Sequence, residues 1–134
     1  MNFMAATIYE PILGEGGISE APAAVVRQLQ DREFPLIADE IQFGLGRAGS
    51  FLASEGIHAN YYLFAKALGG GVAKISATLI ERSRYVNCFD EHYATTFGGD
   101  AFSCAVARRV LELITEERAP AKAASRGAVL KARL

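Results

Sequence analysis

Leu36-Ile37-Ala38-Asp39-Glu40 decides the fold. Its apolar part is too short for a helix and reads as a buried strand that stops on two acids. Downstream, Tyr61-Tyr62-Leu63-Phe64 repeats the pattern and stops at Ala65-Lys66. Upstream, Ala5–Tyr9 has strand character and runs into Pro11 and the loop Gly14-Glu15-Gly16-Gly17. A helix is expected after Ser19 and Pro22, which offer a cap and a pre-set first turn, and it must stop before Pro35. A short helix near Phe51–Glu55, a strand over Ile75–Ile80 and a helix near Arg82–Phe89 follow. Asp100 then caps a long helix with Phe102, Val106, Val110 and Leu113 at helical spacing. Strand and helix signals that alternate in this way predict an α/β fold with a mostly parallel sheet flanked by helices. Glu116–Ala124, charged, alanine-rich and interrupted by Pro120, is the expected linker. It divides a domain-like unit over residues 1–116 from the start of a second over 117–134.

The chain has 134 residues, a formal net charge of −1, 51% hydrophobic and 22% charged residues. That is the composition of an ordinary globular sequence, long enough to bury roughly two thirds of its unfolded surface. The balanced charge offers neither a basic field for nucleic acid nor a polybasic membrane patch. No apolar run approaches the ~20 residues that span a bilayer. The first residues lack the basic start and apolar stretch of a signal peptide, so the expected compartment is the cytoplasm. Cys88 and Cys104 are too isolated for a disulfide framework or a metal site, and both read as buried small apolar groups. His58 and His92 read as loop residues without a chemical role.

Asp39 and Lys66 are the two positions most able to carry chemistry. Each closes an apolar strand, so each belongs at the carboxyl edge of a parallel sheet, where open α/β sheets bind ligands. Singly, either reads more simply as a strand-end residue: a turn-forming acid, or a lysine reaching for solvent. Gly44-Leu45-Gly46-Arg47-Ala48-Gly49 is a literal G-x-G-x-x-G after a strand. A dinucleotide site further needs a long helix and an acid about 20 residues on, and neither follows here. Leu36–Glu40 also looks like the strand and acid that hold magnesium in ATPases, but no G-x-x-x-x-G-K-[ST] loop accompanies it.

Four segments together resemble the class III aminotransferases, pyridoxal-phosphate enzymes of fold type I that include ornithine, acetylornithine and ω-amino-acid transaminases. They are Glu10–Gly17 (EPILGEGG), Ile37–Arg47 (IADEIQFGLGR), Leu63–Gly71 (LFAKALGGG) and Thr95–Gly99 (TTFGG), in the family's order and with similar spacing. The resemblance implies that the chain is the central part of the large cofactor-binding domain, with pyridoxal 5′-phosphate as cofactor. Lys66 resembles the lysine of the internal aldimine, which also moves the substrate proton; only a primary amine can do both. Asp39 resembles the acid paired with the pyridine nitrogen, Ile41 a residue packed on the ring, and Gln42 the glutamine beside the phenolic oxygen. Thr95 and Thr96 match a pair that reaches the cofactor phosphate of a neighbouring subunit, which implies a homodimer with shared active sites. Glu15 matches a glutamate that pairs with a substrate-binding arginine. The implied reaction moves an amino group from an amino acid or ω-amine to a 2-oxo acid. Against the family pattern, Asn60 replaces an aspartate, Asp100 an asparagine, and Tyr93-Ala94 a His-Gly. A catalytically silent scaffold that keeps the motifs is the alternative, and a nucleotide-binding module using Gly44–Gly49 a more distant one.

Overall fold

In the computed structural model, residues 4–30 and 33–134 are described. Four strands form the main sheet: β1 (Thr7–Tyr9), β4 (Leu36–Asp39), β5 (Tyr61–Phe64) and β6 (Ala77–Ile80), in the order β1-β4-β5-β6. The first three run parallel and β6 returns antiparallel to β5. Two-residue strands β2 (Ile12–Leu13) and β3 (Ser19–Glu20) make a small hairpin before α1 (Ala23–Gln30). The mostly parallel α/β sheet is therefore as the alternating pattern predicts.

The register sets Tyr9, Ala38 and Tyr62 side by side across three strands, so all three share one face. On that face Val26 of α1 packs with Leu36, Ala38 and Ala59. Next to this cluster, Leu45, Phe64 and Leu68 close against Ala107 of α3 (Ala101–Glu116). Alternation places Ile8, Ile37, Asp39, Tyr61 and Leu63 on the opposite face, which is only partly covered: Ile8 is 59% exposed.

Several local expectations are corrected. Cys88 and Cys104, expected to be buried, are both exposed. Ser19 pairs with Leu13 in the hairpin, so it does not cap α1, which starts directly after Pro22. Phe51–Glu55 forms turns rather than a helix, because its backbone is drawn onto the Glu40 side chain. Arg82–Phe89 is one 3-10 turn (Arg82–Arg84), an extended step at Tyr85, and the start of α2 (Cys88–His92). Pro120 lies in the first turn of α4 (Ala119–Lys131), where a missing N–H costs nothing. The chain turns at Glu117-Arg118 instead, with Arg118 at φ +50°.

Two residues that depart from the family pattern find local reasons. Asn60 Oδ1 accepts from the Leu36 amide at 2.8 Å while its Nδ2 donates to Glu81 at 2.6 Å. An aspartate could make the first bond but would set its charge against Glu81. Asp100 caps α3 by accepting from the Ser103 amide at 2.9 Å, and that bond holds its carboxyl below the ordinary 3.8. A lowered folded value means the cap is fully present at neutral pH and is lost as pH falls through that value. Asp100→Ala is expected to speed exchange of the Ser103 amide about fivefold at neutral pH. The difference between variant and parent should vanish in acid.

Candidate active site

The carboxyl ends of β4 and β5 meet at one edge. The Glu40 amide donates to the Leu63 carbonyl at 3.0 Å, extending the pairing one residue past Asp39. Asp39, the last residue of β4, is half-buried, and its Oδ1 accepts from the Ile41 amide at 2.9 Å. That Asx turn reverses the chain and brings Gln42 back over the edge. Lys66 stands two residues past β5 and opens the 3-10 turn Lys66–Gly69, which packs on α3. Its φ of +43° is unusual for a side chain with a Cβ and stores strain of the kind found at functional sites. The Lys66 Nζ is exposed and donates to Gln42 Oε1 at 3.1 Å. Among the described residues it has no carboxylate partner.

Ile41 and Gln42 thus share the edge with Asp39 and Lys66. The Gly14 loop joins them, since a Cβ at position 14 would lie 2.8 Å from the Gln42 amide. Glu15, next in that loop, is exposed. Lys66 lines an open cleft of about 470 Å³ with Ala73, Lys74, Ile75 and Ser76. Thr95 and Thr96 are exposed on the segment before α3. No hydrogen bond among the described residues links them to the Lys66 edge.

The glycines of Gly44–Gly49 face protein. A Cβ at Gly44 would sit 2.7 Å from the Glu40 carbonyl oxygen, one at Gly46 3.2 Å from Pro120, and one at Gly49 3.2 Å from Ala124. These contacts account for the small residues without a phosphate. Gly44→Ala is expected to lower unfolding stability by about 2 kcal/mol or more, read from the denaturant midpoint.

Sequence reasoning passed over two groups behind the edge. Glu40 is 1% exposed, and its carboxylate accepts from the amides of Ala53 at 2.9 Å and Ser54 at 2.8 Å and from Ser54 Oγ at 2.5 Å. The available signal was the acid pair at a strand end, because alternation sends the second acid to the covered face. Tyr9 is the other: its hydroxyl is buried and finds no hydrogen-bond partner among the described residues. Burial pushes its pKa up to about 12, with the nearby Glu40 and Tyr62 adding to the rise.

The profile of the class-III aminotransferases matches residues 1–134. The chain belongs to this family. An ornithine aminotransferase from Bordetella pertussis is 40% identical over 96% of this chain and 33% of its own length. Among solved structures, the ornithine aminotransferase of Toxoplasma gondii ME49 superposes with a TM-score of 0.82 at 33% identity, covering 92% of this chain and 31% of that one. A thermostable (S)-enantioselective ω-transaminase from Thermomicrobium roseum gives 0.83 at 28% identity, over 95% and 31%. The chain spans about a third of the length of the relatives it matches. Pyridoxal phosphate is the cofactor of these enzymes, and one structure of the Toxoplasma gondii enzyme carries it at partial occupancy in the active site.

Proposed function

We propose that this chain supplies the cofactor lysine and its acid to a pyridoxal-phosphate-dependent transaminase. The observation that carries the reading is the Lys66 amine, free of any carboxylate among the described residues and held by Gln42 at the edge that ends in Asp39. The donor set fits the group: a primary amine for an aldehyde, a carboxylate for a ring nitrogen and an amide for a phenolic oxygen. When bound, the cofactor supplies the carbonyl that takes up the amino group and the electron-poor ring that accepts the pair left at the substrate carbon.

The chain's own residues do the rest. Lys66 Nζ takes the proton that leaves the substrate carbon and carries it to its next position, with Gln42 Oε1 limiting its swing. Asp39 keeps a positive N–H at its carboxylate, and its fixed Asx turn means that no reorientation is needed. Ile41 supplies an apolar contact for one ring face, and Gln42 a hydrogen bond on the phenolic side. Glu15, on the loop against Gln42, is placed to govern a cationic substrate-binding group. Thr95 and Thr96, exposed and without a hydrogen bond to the Lys66 edge among the described residues, serve the phosphate of a second subunit. The working unit is then a homodimer.

The substrates are an amino acid or ω-amine as donor and a 2-oxo acid as acceptor. Residues 1–116 belong to the cofactor domain, and 117–134, beginning at the Glu117-Arg118 turn, open the small domain. No helix among the described residues is long and apolar enough to cross a membrane, which accords with a cytoplasmic enzyme. The test is a graft: this chain replaces the matching third of the Bordetella pertussis enzyme. Cofactor-dependent amino transfer by the folded graft is the expected result. A graft that folds and retains cofactor yet transfers nothing would reject the reading.

A further inference from the structure

Asp39 and Glu40 are neighbours at the end of one strand, so their side chains leave on opposite faces. Asp39 meets the exposed edge, and Glu40 turns inward. Nearly every polar atom of Glu40 is tied. Its amide donates to Leu63 of β5 and its carbonyl accepts from Gly44, both at 3.0 Å. Its Oε1 receives the Ser54 amide and hydroxyl, and its Oε2 the Ala53 amide. The loop between Gly44 and Ser54 is therefore closed on this one residue at both ends, on its backbone carbonyl at Gly44 and on its carboxylate at Ala53 and Ser54. Leu45 of that loop is buried with Phe64 and Leu68, which flank Lys66 before and after. On the other side, the residue after Glu40 is Ile41, whose amide holds Asp39 Oδ1.

We infer that Glu40 is a positioning residue, whose buried carboxylate fixes the angle at which Asp39 and Gln42 face Lys66. The inference builds on the transaminase reading for its purpose, while its geometry stands on this chain alone. The charge type matters because three donors converge on the group. A glutamine would offer one oxygen to the Ser54 donors and turn its own N–H₂ toward the Ala53 N–H, leaving that amide without an acceptor. The strand end would then rock about the Leu63 contact, and the Asp39–Ile41 turn would open with it.

The test is Glu40→Gln in the folded chain, read at single amides by hydrogen exchange. The Ile41 amide reports the Asp39 carboxyl directly, and the Asn60 amide, bonded to Leu36 at the start of β4, reports the sheet. The expected result is Ile41 exchange about tenfold faster with Asn60 within about twofold of the parent. In parallel, the pyridoxal phosphate concentration that half-labels Lys66 under borohydride should rise about tenfold. An unchanged Ile41 rate overturns the inference, as does an unchanged half-labelling concentration in a chain that labels. If Glu40→Gln speeds Asn60 as well, Ser54→Ala decides: it removes one donor, and Ile41 alone should quicken about threefold. A parent chain that never labels at Lys66 rejects the transaminase reading, and the Ile41 comparison still decides the role of Glu40.

Discussion

Lys66→Ala in the grafted enzyme is expected to lower the transamination rate by about 10⁴-fold or more. The size follows from the two tasks that fall on one atom. The amine anchors the cofactor and then carries the substrate proton, and alanine removes both at once. No nearby group can take over. Lys74 lines the same cleft but sits on the segment after the glycine turn, and it is Lys66 that bonds the Gln42 oxygen. The fold should not notice the change. The Lys66 side chain is exposed and contributes one hydrogen bond, so stability should move by less than about 0.5 kcal/mol. Activity measured beside an unchanged unfolding curve checks both halves of the claim. Appreciable residual transfer would remove Lys66 from the chemistry.

Asp39→Asn should leave the cofactor attached at Lys66 and slow proton removal from the substrate by about 10²–10³-fold. Asparagine keeps the oxygen that receives the Ile41 amide, so the turn over the edge stays closed. Only the charge is lost. Without it, nothing at that end of the site favours a proton on a ring nitrogen, and the electron pair left at the substrate carbon has a weaker sink. The measurement is a single-turnover comparison in which labelling at Lys66 persists while the deuterium-sensitive step slows. Full activity in Asp39→Asn would show that the carboxylate does not serve the ring.

The edge itself was legible in the sequence. Two short apolar runs, each ending on a functional group, are enough to set Asp39 and Lys66 at the same end of neighbouring parallel strands. The long helix with its Asp100 cap was equally plain, because a cap and a 3.6-residue period are both local. What could not be read locally depended on distant partners. Phe51–Glu55 has the composition of a helical turn, yet its amides serve a carboxylate at position 40. Ser19 has the chemistry of a cap, yet strand pairing with Leu13 claims it. Pro120 breaks a pattern on paper, whereas in space it starts α4 and packs on Gly46. The same contact explains why the Gly44–Gly49 motif resembles a nucleotide loop: its glycines are small for the sake of protein neighbours. Glu40 was hidden by its neighbour, since an acid beside a stronger candidate draws no notice until its burial is seen.

Lys66, Lys74, Lys122 and Lys131 offer a direct internal competition. The folded chain is mixed with pyridoxal phosphate, reduced with borohydride, digested and mapped by mass spectrometry. A mass increment concentrated on the Lys66 peptide, with Lys74 of the same cleft nearly clean, is the predicted result. Label spread evenly over the four lysines, or absent from Lys66 in a sample whose fold is intact, would contradict the site.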